Sequence, residues 1–148
     1  MSPEGGAASV CAAFVGIVEP DGRTLTFADA GHNPTLCLRA ATGEVEPLAT
    51  SGLPIGVLPD GMYDEQRIEL ATDDVLLVYT DGLTEARSPD GSEFGEDGLA
   101  HALQTLSDRS AEAIVDGLLV AVDRHCAGAS AGDDRTLVVL KPGGASAR

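Results

Sequence analysis

The alternation of apolar and polar residues predicts a series of short strands, then helices, then a last strand. The run Val75–Tyr79 is apolar at every position, which indicates a strand buried on both faces. In the segment 24–30, Leu25, Phe27 and Asp29 alternate with smaller residues, so these side chains share one face of a strand. The predicted strands span residues 12–18, 24–30, 35–39, 44–48, 66–70, 75–79 and 136–140.

Apolar residues at helical spacing follow the strands. In the segment 110–126, Ile114, Leu118 and Val122 recur every four residues and form one stripe. Ser110 is a favourable N-cap for this helix. A shorter helix is predicted over 98–106. With 18 glycines and 8 prolines, the chain favours many turns, and therefore a strand-rich architecture over a helical bundle.

The charge of the chain excludes some classes of partner. The formal net charge is −15, and only nine Lys and Arg residues are scattered along the 148 residues. Nucleic acids and anionic membrane surfaces both require clustered basic residues, so neither is expected as a partner. The apolar stretch 7–18 is too short to cross a membrane and has no basic residue before it, so it is not a signal peptide.

The cysteines indicate the compartment. Cys11, Cys37 and Cys126 form neither a paired disulfide framework nor a zinc motif, so a reducing cytoplasm is the expected location. Each is expected to pack as a small buried apolar residue.

Two acidic positions lie where predicted strands end or begin. Asp81 follows the strand 75–79, and Asp133 and Asp134 precede the strand 136–140. If these strands are antiparallel neighbours, the carboxylates meet at one edge of a sheet, where their repulsion calls for a cation. Oxygen ligands without nearby His or Cys suit Mg²⁺ or Mn²⁺. The alternative is structural, since Asp-Gly pairs recur along this chain and most mark turns.

Four segments together carry a family resemblance. In order they are FADAGHNPTLCL, GLPIGV, DDVLLVYTDGLTEARSPDGSEFGEDGL and DDRTLVVL. This pattern resembles the SpoIIE/RsbU-like branch of the PP2C (PPM-type) serine/threonine phosphatases, and it extends over residues 3–141. The resemblance implies an α+β fold, a PP2C-like antiparallel β-sandwich with flanking helices. The whole chain, 1–148, is then the C-terminal part of one phosphatase domain, with residues 142–148 as a disordered tail.

The resemblance also implies site residues and a cofactor. Asp81 of TDG and Asp133 of DDRT match metal-coordinating positions of the family. The cofactor is Mn²⁺ or Mg²⁺, with two ions in the complete domain, and metal-activated water attacks phosphoserine or phosphothreonine. No side chain is assigned as a catalytic acid or base. Possible supporting residues are Asp134, Gly82, His32 and Asn33.

The sequence departs from the family at its N-terminal side. The family carries a Gly-Asp-Val-x-Gly-type motif whose Asp bridges both metals, and nothing before Ala12 supplies that motif. We therefore expect the fold to be incomplete at the N-terminus, with weak metal binding and apolar surface exposed where further strands belong.

The expected partner, by the same resemblance, is a phosphorylated regulatory protein of the anti-anti-sigma type. An upstream sensor domain or a homodimer is also possible. Two other functions compete: a non-catalytic pseudophosphatase that acts as an interaction module, and a Ca²⁺-binding domain built from Asp-Gly turns. The Ca²⁺ hypothesis requires alternating Asp or Asn within one loop, which the sequence does not contain.

Overall fold

A computed structural model describes residues 9–49, 52–128 and 134–143. These residues divide into two compact units. The first unit comprises residues 1–32 and 49–69, and the second comprises residues 33–48 and 70–148. The elements are β1 (Ala13–Val18), β2 (Thr24–Ala30), β3 (Leu36–Leu38), β4 (Val45–Pro47), β5 (Gln66–Glu69), β6 (Val75–Tyr79), α1 (Asp81–Thr84), α2 (Gly95–Thr105), α3 (Ala111–Cys126) and β7 (Leu137–Leu140).

The first unit is built on an antiparallel sheet with the strand order β1-β2-β5. As the alternation predicted, Leu25, Phe27 and Asp29 are all buried, because they share the inner face of β2. The ring of Phe14 on β1 stacks against Phe27 with centroids 5.5 Å apart. This face of the sheet therefore forms the apolar interior of the unit.

Strand β1 also carries exposed apolar side chains. Val15 is 60% exposed and Ile17 is 62% exposed. Val15 and Ile17 are two residues apart, so they lie on the face of β1 opposite to Phe14. Further exposed apolar residues in this unit are Val10, Val18, Leu53, Ile55, Val57, Leu58, Met62 and Tyr63. The exposed apolar surface predicted from the sequence is therefore found in this unit.

The second unit contains an antiparallel sheet with the order β4-β3-β6-β7 and all three helices. Val75, Leu77 and Tyr79 of β6 pack in one core with the apolar stripe of α3. That stripe was predicted correctly: its buried residues are Ile114, Leu118, Val122 and Cys126. The Ser110 hydroxyl accepts the Ala113 N–H at 3.2 Å, which confirms the predicted cap.

A buried carboxylate joins two segments of the second unit. Asp74 is 1% exposed. It accepts hydrogen bonds from the backbone N–H groups of Ala40 (2.8 Å) and Ala71 (2.9 Å) and from the Arg39 guanidinium (3.0 Å). Burial raises the pKa of Asp74, but the hydrogen bonds from Ala40, Ala71 and Arg39 outweigh burial, so its pKa lies below the ordinary value.

Three features of the fold were not predicted from the sequence. The early strands do not all pair in chain order within one sheet, because β2 pairs with β1 and β5 whereas β3 pairs with β4 and β6. The turn between β2 and β3 ends in Pro34, which has no N–H to continue a ladder. Helix α2 begins at Gly95, three residues before its predicted start at Gly98, and the short helix α1 was not predicted.

The cysteines are only partly as expected. Cys37 and Cys126 are buried, and burial raises the pKa of the Cys37 thiol to about 11. Cys11 is exposed, because the N-terminal end of β1 lies at the surface of its unit, so its predicted burial is wrong. Of the predicted tail, residues 144–148 lie outside the described residues. No helix within the described residues is long and apolar enough to span a bilayer.

Candidate metal-binding edge

The end of β6 and the start of β7 form one edge of the second unit. The strands are antiparallel, with Tyr79 opposite Leu137. Continuing that register by one residue places Thr80 opposite Thr136, and the Thr80 hydroxyl lies 3.4 Å from the Asp134 carbonyl. Asp81 is the first residue of α1, directly after this point. The structure therefore brings Asp81 and Asp134 to the same edge, as the sequence predicted, while Asp133 lies outside the described residues.

Thr80 links the two strands through both its backbone and its side chain. The Thr80 N–H donates to the Thr136 carbonyl at 3.0 Å. A regular antiparallel pair would return a bond from the Thr136 N–H to the Thr80 carbonyl. Here the Thr80 carbonyl accepts the Leu83 N–H of α1 at 3.1 Å, and the Thr136 N–H donates to the Thr80 hydroxyl at 3.0 Å. The hydroxyl thus replaces a backbone acceptor where the chain leaves the sheet.

In the short helix α1, Asp81 faces solvent while the two residues after it are buried and anchor the turn. Gly82 and Leu83 are buried, whereas Asp81 is exposed. Burial raises the pKa of the neighbouring Tyr79 hydroxyl to about 12, and the negative charges of Glu96 and Asp81 add to that shift. The exposed carboxylate of Asp81 therefore lies near the buried, neutral hydroxyl of Tyr79.

Arg135 holds the segment that leads into β7 against helix α3. Its guanidinium donates to Asp123 Oδ1 at 2.5 Å and to the Cys126 sulfur at 3.4 Å. Only 13% of the Arg135 side chain is exposed, and its buried Nε has no hydrogen-bond partner among the residues that the structure describes. The residue next to Asp134 is thus held to α3.

The carboxylates at this edge are ligands of the kind that suits a divalent ion. Carboxylate oxygens are the ligands that Mg²⁺ and Mn²⁺ prefer. Among the residues that the structure describes, no three His, Cys, Asp or Glu side chains are close enough together to hold a metal ion. Asp81, Asp133 and Asp134 would therefore leave coordination positions for water, phosphate oxygens or other carboxylates.

His32 and Asn33 lie in a reversal of the chain after β2. Gly31 has φ +72°, and a Cβ there would lie 2.5 Å from the Pro54 ring. The buried Asp29 accepts the His32 N–H at 3.1 Å, so its carboxylate caps this turn. His32 belongs to the first unit and Asn33 to the second. Their supporting roles stay predictions.

The segment after α1 is held by local polar contacts. The Asp90 carboxylate accepts hydrogen bonds from the Ser88 hydroxyl and from the Ser92 N–H and hydroxyl. These bonds lower the pKa of Asp90 to about 2. His125 at the end of α3 contacts the Ser92 carbonyl at 3.0 Å, and its ring lies 5.4 Å from that of Phe94. The loop within the TDG…FG string is therefore fixed to α3.

Two residues of this site were missed from the sequence. Thr80 had a signal, because it is a hydroxyl residue between a strand and an Asp-Gly pair. Arg135 also had one, because it follows two carboxylates and is a lone cation before an apolar strand. Neither signal identifies the partner, since Thr80 contacts a residue 56 positions away.

Comparisons with known proteins agree with the motifs. Residues 2–142 match the sequence model of the family described as Stage II sporulation protein E (SpoIIE). Protein IcfG from Synechocystis is 28% identical over 127 residues, covering 86% of this chain and 20% of that protein. Phosphoserine phosphatase RsbU from Bacillus subtilis is 27% identical over 128 residues, covering 82% of this chain and 36% of RsbU.

A solved structure shows the same fold. The phosphatase domain of SpoIIE from Bacillus subtilis, in a form presoaked with Mn, aligns with a TM-score of 0.69 at 19% identity. The match covers 89% of this chain and 56% of that one. The α+β, PP2C-like fold predicted from the sequence is thus confirmed. This chain spans only part of the length of each of these relatives.

Proposed function

The chain belongs to the SpoIIE family, and from that membership we propose that it is part of a PPM-type protein serine/threonine phosphatase. We assign residues 1–148 to the C-terminal portion of a single phosphatase domain. The observation that carries the proposal is the edge where β6 ends beside the start of β7, because it gathers the TDG and DDRT motifs from distant parts of the chain.

The proposed reaction is hydrolysis of a phosphoserine or phosphothreonine ester. A water oxygen forms a bond to phosphorus, the bond from phosphorus to the side-chain oxygen breaks, and that oxygen leaves with a proton. Divalent ions, when bound, lower the pKa of water and screen the phosphoryl charge. In this chain, Asp81 and Asp133 would hold Mn²⁺ or Mg²⁺, and Gly82 keeps the Asp81 turn packed inside.

Asp134, His32 and Asn33 are proposed as supporting residues. Asp134 lies beside Thr80, the residue before Asp81, because its carbonyl is 3.4 Å from the Thr80 hydroxyl, and this favours a role beside the metal ligands. The backbone N–H of His32 donates to the buried Asp29 carboxylate, so the turn that carries His32 is fixed in place. We assign no catalytic acid or base.

The proposed substrate is a phosphorylated regulatory protein of the anti-anti-sigma type. Support comes from the relative RsbU, which is described as a phosphoserine phosphatase. An upstream sensor domain or a homodimer would supply regulation. The strongly acidic surface, with a net charge of −15, requires that the metal ions or the partner provide the positive charge facing a phosphoprotein.

A second candidate is a non-catalytic pseudophosphatase that acts as an interaction module. The observation that favours it is the exposed apolar surface of the first unit, which includes Val15 and Ile17 of β1. Two carboxylates bind a hard ion weakly, so we expect these 148 residues alone to bind Mn²⁺ weakly and to turn over slowly.

Calorimetric titration with Mn²⁺, paired with phosphate release from a phosphoserine peptide, tests the proposal. Asp81→Asn should weaken Mn²⁺ binding at least about tenfold, because it removes a charged oxygen ligand. Asp116→Asn is the matched control, since Asp116 is an exposed residue of α3 away from this edge, and it should bind like the wild type.

The outcomes separate the candidates. Mn²⁺ binding with turnover, both reduced in Asp81→Asn, supports the phosphatase. Mn²⁺ binding that is equal in Asp81→Asn and the wild type contradicts the ligand assignment. Absence of both binding and turnover in the wild type favours the interaction module.

A further inference from the structure

We propose that the Thr80 hydroxyl is a positioning group, which locks the segment 134–136 to the start of α1 and so sets the spacing of the carboxylates at this edge. The inference rests on the proposed function only in its second half, where the spacing serves metal binding. The first half concerns the geometry of the chain itself.

The first step is the exit of the chain from the sheet. Asp81 can leave the edge of β6 only if the chain turns sharply after Tyr79. The turn uses the Thr80 carbonyl, which accepts the Leu83 N–H at 3.1 Å instead of the Thr136 N–H. Without another acceptor, the Thr136 N–H would lose the bond that its register position requires.

The second step is the replacement acceptor. The Thr80 hydroxyl accepts the Thr136 N–H at 3.0 Å and lies 3.4 Å from the carbonyls of both Asp134 and Thr136. One side chain therefore bonds to backbone groups at both ends of the segment that carries Asp134. Its hydroxyl does not cap α1, although Thr80 is at the N-cap position of that helix. The Thr80 side chain therefore bonds to the segment that leads into β7 and not to its own helix.

The third step is a second anchor on the same segment. Arg135 is tied to Asp123 of α3 at 2.5 Å, so the segment 134–136 is held to α3 as well as to Thr80. Opening at Thr80 would then change the distance between the Asp81 turn and the segment 134–136. A divalent ion that needs ligands from both sides is sensitive to such a change, because its oxygen distances are short and narrowly defined.

The test uses two readouts on the full chain: amide exchange of the Thr136 N–H by NMR, and Mn²⁺ affinity by calorimetry. Thr80→Val keeps the shape of the side chain and removes the hydroxyl. It should raise the exchange rate of Thr136 at least about tenfold and weaken Mn²⁺ binding about fivefold or more. Thr80→Ser keeps the hydroxyl and should match the wild type in both readouts.

Thr105→Val is the matched control. The Thr105 hydroxyl bonds to the His101 carbonyl within α2, at 3.0 Å, so its removal leaves the edge intact. Neither readout should change in this variant. A general loss of stability on replacing any Thr by Val would instead appear in the control as well.

Two results overturn the inference. One is a Thr136 exchange rate in Thr80→Val equal to that of the wild type. The other is raised exchange with unchanged Mn²⁺ affinity, which removes the link to the metal. If Thr80→Val does not fold, Thr80→Ser decides alone: loss of Thr136 protection or of Mn²⁺ affinity in it overturns the inference, and retention of both supports it. A wild type that protects Thr136 but binds no Mn²⁺ supports the lock and contradicts the phosphatase proposal.

Discussion

The two units of the chain differ in how their sheets are covered. In the second unit, α2 and α3 pack on the sheet, and residues such as Leu77 and Leu118 are completely buried. In the first unit, β1 leaves Val15 and Ile17 more than half exposed. Buried apolar area is the main source of folding free energy, so the second unit contributes most of the stability. The Asp81 edge extends from this covered sheet.

The test with the largest expected effect truncates one apolar side chain of the same size in each unit. Leu118→Ala should lower the free energy of unfolding by about 2 to 5 kcal/mol, because it leaves a cavity in a closed core. Ile17→Ala should lower it by less than about 1 kcal/mol, because that side chain already contacts water. Urea denaturation of both variants measures the difference, and equal losses would contradict the contrast.

The second test concerns the buried ion pair of the second unit. Asp74→Asn should lower the free energy of unfolding at pH 7 by about 2 to 4 kcal/mol, because two backbone N–H groups and Arg39 lose their charged acceptor. Thermal or urea unfolding measures this loss. Asp73→Asn is a suitable control, since the Asp73 side chain is 65% exposed.

The same pair predicts a dependence on pH. The pKa of Asp74 is lowered in the folded state, so its stabilising contribution is present above the unfolded pKa of about 3.9. That contribution is lost as the pH falls through the lower, folded value. The difference in stability between the wild type and Asp74→Asn should therefore shrink between pH 7 and pH 3. If this difference in stability stays constant or grows on acidification, the charged Asp74 carboxylate does not cause it.

The last test concerns β1, where we expect the smallest change in the free energy of unfolding but a measurable change in self-association. Ile17→Lys should change the free energy of unfolding by no more than about 0.5 kcal/mol, because the position is exposed. It should reduce concentration-dependent self-association, since a charge on an exposed apolar strand opposes pairing. Sedimentation velocity measures this. Val138→Lys, at a 59% exposed position of β7, should leave association unchanged.

Much of the fold follows from local patterns. The strands 24–30 and 75–79 were predicted with their observed limits, and α3 was predicted to within one residue. Local propensity and side-chain period are sufficient there, because each segment is long or strongly apolar. The four-residue helix α1 was missed, because a single turn has no period to detect.

The sequence by itself determined most of the strands and the two longer helices, where Asp81 and Asp134 lie relative to the predicted strands, and which family the motifs resemble. Only the tertiary structure decided that β3 leaves the sheet of β2, that Asp74 binds Arg39 from 35 positions away, and that the Thr80 hydroxyl replaces a carbonyl for Thr136. The physical reason is the range of each signal. Periodicity is encoded in neighbouring residues, whereas a hydrogen-bond partner depends on which distant strands pair and in which register.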